Sequence, residues 1–213
     1  MAIKTQIIKI DPQVIESGLI DIIIDVLRRG GIAAYPTDTF YGLGVNCYRE
    51  KAVEKVYRLK KREYDKPISL VVSDVAMVRG VCMNIPPAFE EMAKSFWPGP
   101  LTLILKASSS RLPSVLLGED GSIGIRLPDF PWLRELIRRA GFPLTATSAN
   151  ISGEKEIFQP DKVIEIFEGK VDLIVDGGMT PGQLPSTVVD LTSEKPKIIR
   201  EGALPSTRLS PYL

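Results

Sequence analysis

Short apolar runs that stop at polar, proline- or glycine-bearing turns alternate with stretches of helical spacing along this 213-residue chain. Runs this short are buried only when they pair in a sheet and the intervening helices cover it. Strands are expected at 5–10, 32–35, 68–72, 101–106, 122–127, 144–147, 173–175, 187–191 and 197–200. Helices are expected at 12–29, 49–62, 132–140 and near 161–167, with helical turns that include 86–96. In the first helix Ile15, Leu19, Ile22, Ile23, Val26 and Leu27 form the apolar stripe, and Gly30-Gly31 ends it. The pattern gives an α/β (α+β) fold with an open sheet and leaves the strand order undetermined. No repeat or low-complexity stretch interrupts it, so a single domain over 1–204 followed by a tail at 205–213 is expected. With 44% hydrophobic and 25% charged residues, the chain has the composition of an ordered protein with one sizeable core.

Composition also removes whole classes of chemistry. There are no histidines. Ser-His-Asp and Cys-His catalysis, histidine-ligated metals and imidazole acid–base steps are therefore excluded. An enzyme built from this chain must use Lys, Arg, Ser, Thr, Asn, carboxylates and backbone amides, a set suited to positioning and stabilising phosphate oxygens. The two cysteines, Cys47 and Cys82, suggest neither a disulfide framework nor a zinc knuckle. A formal net charge of +1 argues against a globally basic nucleic-acid coat but permits a local basic patch. The first residues lack a signal-peptide pattern, and the greasiest stretch, 19–27, is broken by Asp21 and Asp25. A cytoplasmic protein without a membrane span is expected.

Three segments carry candidate chemistry. YPTDTFYGLG at 35–44 places hydroxyls, a carboxylate and two glycines directly after a buried strand, where open sheets bind ligands. A turn in which Thr37 and Asp38 satisfy local amides explains it equally well. In the second, residues 49–66 carry eight basic and four acidic side chains. Val53, Val56 and Lys60 share a helical stripe, so Lys60 leaves the buried face, and Arg62 can fork onto two phosphate oxygens. Cations that merely complement a helix dipole are the plain alternative. In the third, TATSANISG at 145–153, Ser148 and Asn150 point the same way in an extended segment and suit phosphate binding better than nucleophilic attack. Neither GxxxxGK[ST] nor GxGxxG is present, so a nucleotide would bind outside the P-loop and Rossmann solutions.

Taken in order, YPTDTFYGLG, Lys60-x-Arg62, KPISLVV, WPGPLTLIL, GIRLP, TATSANISG, LPSTVVD and IIREG resemble the YrdC/TsaC family of threonylcarbamoyl-AMP synthases, over about residues 5 to 203. The resemblance implies a YrdC-like fold, a twisted mixed sheet around a concave basic cavity. It also implies synthesis of threonylcarbamoyl-adenylate from L-threonine, bicarbonate or CO2, and ATP, with pyrophosphate released and Mg²⁺ required. Other proteins would then transfer the threonylcarbamoyl group to the adenosine beside the anticodon of tRNA. It places Lys60, Arg62, Ser148 and Asn150 on the nucleotide phosphates, with Lys60 and Arg62 as the catalytic pair, and Ser122 and Arg200 near ATP. Thr37, Arg126, Ala146 and Ser186 fall on the L-threonine side. Contact with tRNA or double-stranded RNA is left open.

Two departures stand out. Glu63 occupies the place where the family commonly has proline, and the chain resembles the short, single-domain branch. A carbamoyl-adenylate-forming module and a non-catalytic RNA-binding protein are the competing readings. The second is weakened by an aromatic content of 7% and the lack of RNP or KH patterns.

Overall fold

The computed structural model describes residues 3–108, 111–182 and 184–213. Along the chain run β1 (Gln6–Lys9), α1 (Ser17–Arg28), β2 (Ala33–Tyr35), β3 (Gly42–Gly44), α2 (Glu50–Lys60), β4 (Ser69–Val71), α3 (Val75–Val81) and α4 (Pro87–Phe96). There follow β5 (Leu101–Lys106), β6 (Ser122–Arg126), α5 (Pro131–Ala140), β7 (Leu144–Ser148), α6 (Pro160–Phe167), β8 (Leu173–Asp176), β9 (Thr187–Asp190), β10 (Lys197–Arg200) and α7 (Ser206–Leu209). The strands form one mixed sheet in the order β1-β8-β2-β3-β7-β4-β6-β5-β9-β10. Pairs β1-β8, β2-β8, β4-β6 and β5-β9 are parallel; the other pairs are antiparallel.

Because side chains alternate across a strand, each strand feeds two cores. On one face Ala34, Leu70, Leu103, Ile125 and Ile174 pack with Val53 and Val56 of α2, Val78 of α3, Met92 of α4 and Phe167 of α6. On the other, Ala33, Tyr35, Val71, Leu173 and Val175 pack with Ile20, Ile23 and Leu27 of α1 and Leu133, Leu136 and Ile137 of α5. These two helices cover the half of the sheet around β1, β8 and β2. No residue of β5, β6 or β9 belongs to this second core, and that half of the face carries the cavity described below.

Four elements differ from the sequence reading. α1 begins at Ser17 rather than at 12, because Asp11 closes a turn first, accepting from Gln13 N at 2.9 Å through its side chain. Its buried stripe is Ile20, Ile23, Ile24 and Leu27, while Ile15 and Ile22 are exposed. The segment LIDIIIDVL is apolar at nearly every step, so spacing alone offered two faces. β3 was expected to be part of a polar turn, since glycine is a poor strand former. It pairs with both β2 and β7, and its glycines are the reason it can. The Tyr35 ring lies across it, donating a hydrogen bond to Thr145 O at 2.9 Å. A Cβ on Gly44 would sit 2.4 Å from Tyr35 Cε1. Neither α3 nor α7 was expected. Asp74 caps α3, its side chain accepting from Met77 N at 2.8 Å. The segment holding α7 docks on α4: Leu209 is buried, and the Tyr212 and Ser95 hydroxyls are 2.9 Å apart. Among the described residues no helix is long and apolar enough to cross a membrane.

The β3 packing is directly testable. Gly44→Ala should cost about 1–3 kcal/mol, the range for inserting a methyl into a filled site, seen as a lower urea midpoint. An unchanged midpoint would remove Tyr35 as the reason for the glycine.

Candidate functional site

Strand alternation builds the site. Thr102 and Ile104 of β5, Ser122, Gly124 and Arg126 of β6, Ser69 and Val71 of β4, Ala146 and Ser148 of β7, and Val188 of β9 step by two along their strands onto one face. There they floor a cavity of about 360 Å³. Register places Thr102 opposite Arg126 and Ser69 opposite Ala146. Gly124 leaves space at the centre, since a Cβ there would be 2.5 Å from Ser69 Oγ. Thr37, Thr39 and Tyr41 close one wall; Arg62, Glu156, Ser186 and Arg200 form others.

Eight of the ten sequence-predicted residues line this cavity: Thr37, Arg62, Ser122, Arg126, Ala146, Ser148, Ser186 and Arg200. Lys60 and Asn150 stand directly behind the wall. Lys60 is 1% exposed, as its helical stripe predicted, and its ammonium donates to Ser148 O at 2.5 Å, Asn150 O at 2.6 Å and Asn150 Oδ1 at 2.9 Å. Asn150 Oδ1 also accepts from Ser148 Oγ at 2.7 Å, and the Asn150 amide donates to Glu154 O at 2.6 Å. In return Ser152 N donates to Lys60 O at 3.0 Å, fastening the end of α2 to the same loop. The Lys60 charge is therefore turned into the protein and does more than complement its own helix dipole. Burial, aided by the neighbouring Arg62 charge, pulls its pKa down to about 7 against a smaller opposing pull from Glu156.

Lys61 takes the left-handed conformation at φ 52° and ends α2. Arg62, leaving that turn, donates through Nε to Lys66 O at 2.7 Å and through Nη2 to Pro67 O at 3.0 Å. Glu63, the departure beside it, is exposed and paired with Lys66, so it faces solvent rather than the cavity. Arg200 donates to Ser186 O at 2.8 Å, and the Ser186 hydroxyl lies 2.8 Å from that of Thr102. Burial lowers the pKa of Arg200; Glu156 raises it, and the like charges of Arg126 and Arg62 lower it further. Burial likewise lowers that of Arg62. Arg126 and Arg62 thus both act on Arg200 across the hollow, and among the described residues Glu156 is the one carboxylate in its lining.

In the 36–40 turn Thr37 does what the local reading implied, whereas Asp38 is bonded away from it, accepting from Asp129 N. The Thr37 hydroxyl donates to Phe40 O at 2.7 Å and accepts from Thr39 N at 3.1 Å. Sequence reasoning missed Thr39, Ser69, Tyr41, Thr102 and Glu156. Thr102 comes to light only through its pairing with Arg126, which the sequence left undetermined; Glu156 lies in a loop with no periodic signal.

The Sua5/YciO/YrdC family model, described as "Telomere recombination", matches residues 25–202. The chain belongs to this family. A Pyrococcus abyssi threonylcarbamoyl-AMP synthase is 38% identical over 191 residues, 90% of this chain and 56% of that protein. A Bacillus subtilis protein of the same name is 35% identical, over 91% of this chain and 54% of its own length. The chain thus spans about half the length of these two relatives. A Methanocaldococcus jannaschii relative is 36% identical over 99% of both chains. The solved structure of P. abyssi Sua5 complexed with L-threonine superposes with a TM-score of 0.93 at 36% identity, over 98% of this chain and 61% of that one. Escherichia coli YciO gives 0.88 at 31% identity over 98% and 100%. The twisted mixed α/β sheet expected from the motifs is the fold these Sua5/YciO/YrdC structures share.

The buried Lys60 cluster has a measurable consequence. Lys60→Met keeps the stem but leaves Asn150 O without a donor, while Asn150 Oδ1 keeps Ser148 Oγ and Ser148 O keeps Asn150 N; it should cost about 1–3 kcal/mol of unfolding free energy in chemical denaturation. A loss below about 1 kcal/mol would show that the ammonium is dispensable to the fold.

Proposed function

We propose that the chain is a threonylcarbamoyl-AMP synthase, joining L-threonine, bicarbonate or CO2, and ATP into threonylcarbamoyl-adenylate with release of pyrophosphate. The observation that supports this reading best is the convergence of eight motif residues, drawn from segments between positions 37 and 200, on one cavity. The family relationship supports it independently, together with the L-threonine held by the P. abyssi relative.

The chemistry suits a site without histidine. Threonine's amine adds to CO2, forming the N–C bond and losing a proton to solvent. A carbamate oxygen then attacks the α-phosphorus of ATP, the bond to the β-phosphate oxygen breaks, and pyrophosphate leaves. The nucleophile is already an anion, so it needs orientation and charge screening rather than a base. Arg62 and Arg200, with the Ser148 hydroxyl, are assigned to the nucleotide phosphates. Lys60 and Asn150 act from behind by fixing Ser148, and their contact with phosphate in the family pattern is carried here by the wall they support. Thr37, Arg126, Ala146 and Ser186 are assigned to the amino acid and its carbonate partner, and Ser122 to ATP.

Among the described residues no group of three or more Asp, Glu, Cys or His could hold a metal alone. That fits Mg²⁺, which binds through one or two carboxylates plus substrate phosphates. Glu156 is the wall carboxylate that would hold it, and the ion would supply charge neutralisation along the triphosphate. The product would pass to proteins that modify the adenosine next to the anticodon in tRNA, in the cytoplasm.

Purified protein given ATP, Mg²⁺ and bicarbonate should release pyrophosphate only when L-threonine is present, and carbamoyl phosphate should not replace it. Arg62→Ala should reduce that release about 10²- to 10³-fold, the loss seen for one preorganised electrostatic donor. Near-native turnover in Arg62→Ala would overturn the assignment of the phosphate site. Salt-sensitive RNA binding without ATP turnover would favour an RNA-binding protein instead.

A further inference from the structure

Arg126 is the most completely enclosed cation of the cavity wall; its side chain is 10% exposed and that of Asp38 is 11%. Nε donates to Gly99 O at 3.1 Å and Nη1 to Thr39 Oγ1 at 3.1 Å. Nη2 lies 2.7 Å from Asp38 Oδ1. Both atoms are fully buried, and they are misaligned for a hydrogen bond. The contact is therefore one of charge, and it is the counter-charge that makes a buried guanidinium tolerable. Asp38 is itself fixed from the other side, because Asp38 Oδ2 accepts from Asp129 N at 3.0 Å. Asp129 lies three residues beyond Arg126, so the carboxylate clasps the end of β6 to the 36–40 turn. That turn is cross-tied by the Thr37 hydroxyl. Asp38 does not line the cavity, whereas Arg126 and Thr39 do.

We propose that Asp38 is a positioning residue, holding Arg126 Nη2 from behind so that the N–H left on Nη1 meets the carboxylate or carbonate end of the amino-acid substrate. This rests on the placement of the amino acid at Arg126 given above. Of the five N–H groups of the fork, those on Nε and Nη1 that meet Gly99 and Thr39 are spent on protein acceptors. The Nη2 pair is enclosed against Asp38, and the carboxylate behind sets the plane in which the second Nη1 N–H lies. Without it the guanidinium would be drawn toward solvent or toward Glu156, and the amino-acid end of the site would lose its register while the phosphate end, built on Arg62 and Ser148, would keep it.

Steady-state pyrophosphate release by wild type, Asp38→Asn, Arg126→Lys and the double variant, titrating threonine, bicarbonate and ATP separately, tests this. Asp38→Asn keeps the shape and removes the charge. It should raise the KM for threonine about tenfold or more, the loss expected for a charge-assisted contact, and move the KM for ATP by less than about twofold. In the Arg126→Lys background the same change should add nothing further, as coupling through Arg126 requires. An unchanged KM for threonine, an equal rise for ATP, or an effect that persists in the Arg126→Lys background would each overturn the inference. Should Asp38→Asn fail to fold, Thr39→Val, which removes the Nη1 acceptor, should show the same selective rise and Thr39→Ser should restore it; no rise in Thr39→Val would overturn it. Wild-type protein that releases no threonine-dependent pyrophosphate would overturn the function beneath this inference and the inference with it, whereas active wild type with an indifferent Asp38→Asn would overturn this inference alone.

Discussion

The Lys60 ammonium, enclosed by oxygens of Ser148 and Asn150, joins the two halves of the site. One half arrives on α2 and the turn after it; the other leaves the end of β7. The chain separates them by some ninety residues, and within the sheet β7 follows β3, not the α2 helix. A charge taken out of water costs several kcal/mol unless its donors are all met. Here three acceptors converge on one Nζ, and the return bond from Ser152 N to Lys60 O closes the connection. Arg62 leaves the left-handed turn at Lys61 from this fixed point, and the Ser148 hydroxyl enters the wall from the other side. The distance between these two wall groups is therefore set by buried contacts, independent of any ligand.

The cavity itself follows from incomplete covering. α1 and α5 shield the half of the sheet around β1, β8 and β2, and their apolar faces meet Tyr35, Val71 and Leu173. The continuing face of β6, β5 and β9 is left to residues that tolerate exposure or demand a partner: Thr102, Ser122, Gly124, Arg126 and Val188. On the opposite face the same strands present Leu103, Ile125 and Val189 to the larger core. One period-two alternation thus supplies stability on one side and chemistry on the other.

What could be read in advance follows the same division. Lys60 was legible because Val53, Val56 and Lys60 step by three and four along a helix, a pattern that needs no tertiary knowledge. The polar residues at strand ends were legible for a similar reason, through Thr37 and Ser148, whereas Arg126 was reached only through the family resemblance. Thr37 and Asp38 read as local turn formers, and Thr37 does tie the turn; the hold of Asp38 and Thr39 on Arg126, 87 positions away for Thr39, depends on a strand order that no local pattern encodes. β3 escaped because its glycines are explained by the Tyr35 ring on the neighbouring strand. The face of α1 was misread because Ile20, Ile22, Ile23 and Ile24 offer nearly equal hydrophobicity, and only docking against α5 separates the exposed Ile22 from the others.

Charge placement makes this arrangement costly for a fold that serves no ligand. Arg62, Arg126 and Arg200 face one hollow; the first two depress the Arg200 pKa through repulsion, and burial depresses it most. Lys60 sits close enough to Arg62 that the neighbouring charge adds to its desolvation. Asp38 is already committed to Arg126, which leaves Glu156 as the nearby carboxylate acting on both Lys60 and Arg200. Replacing such charges by apolar residues commonly stabilises a protein. An incoming polyanion, as the proposed function requires, would turn that repulsion into attraction. The arginines are not equivalent in this respect. Arg126 has its counter-ion within the protein and is held rigidly, so it suits orientation. Arg62 and Arg200 are anchored through backbone carbonyls, with Asp65 acting on the first and Glu156 on the second, neither in an ion pair among the described residues. Under the proposed function, that asymmetry would set an end that aligns the small substrate apart from an end that attracts the triphosphate.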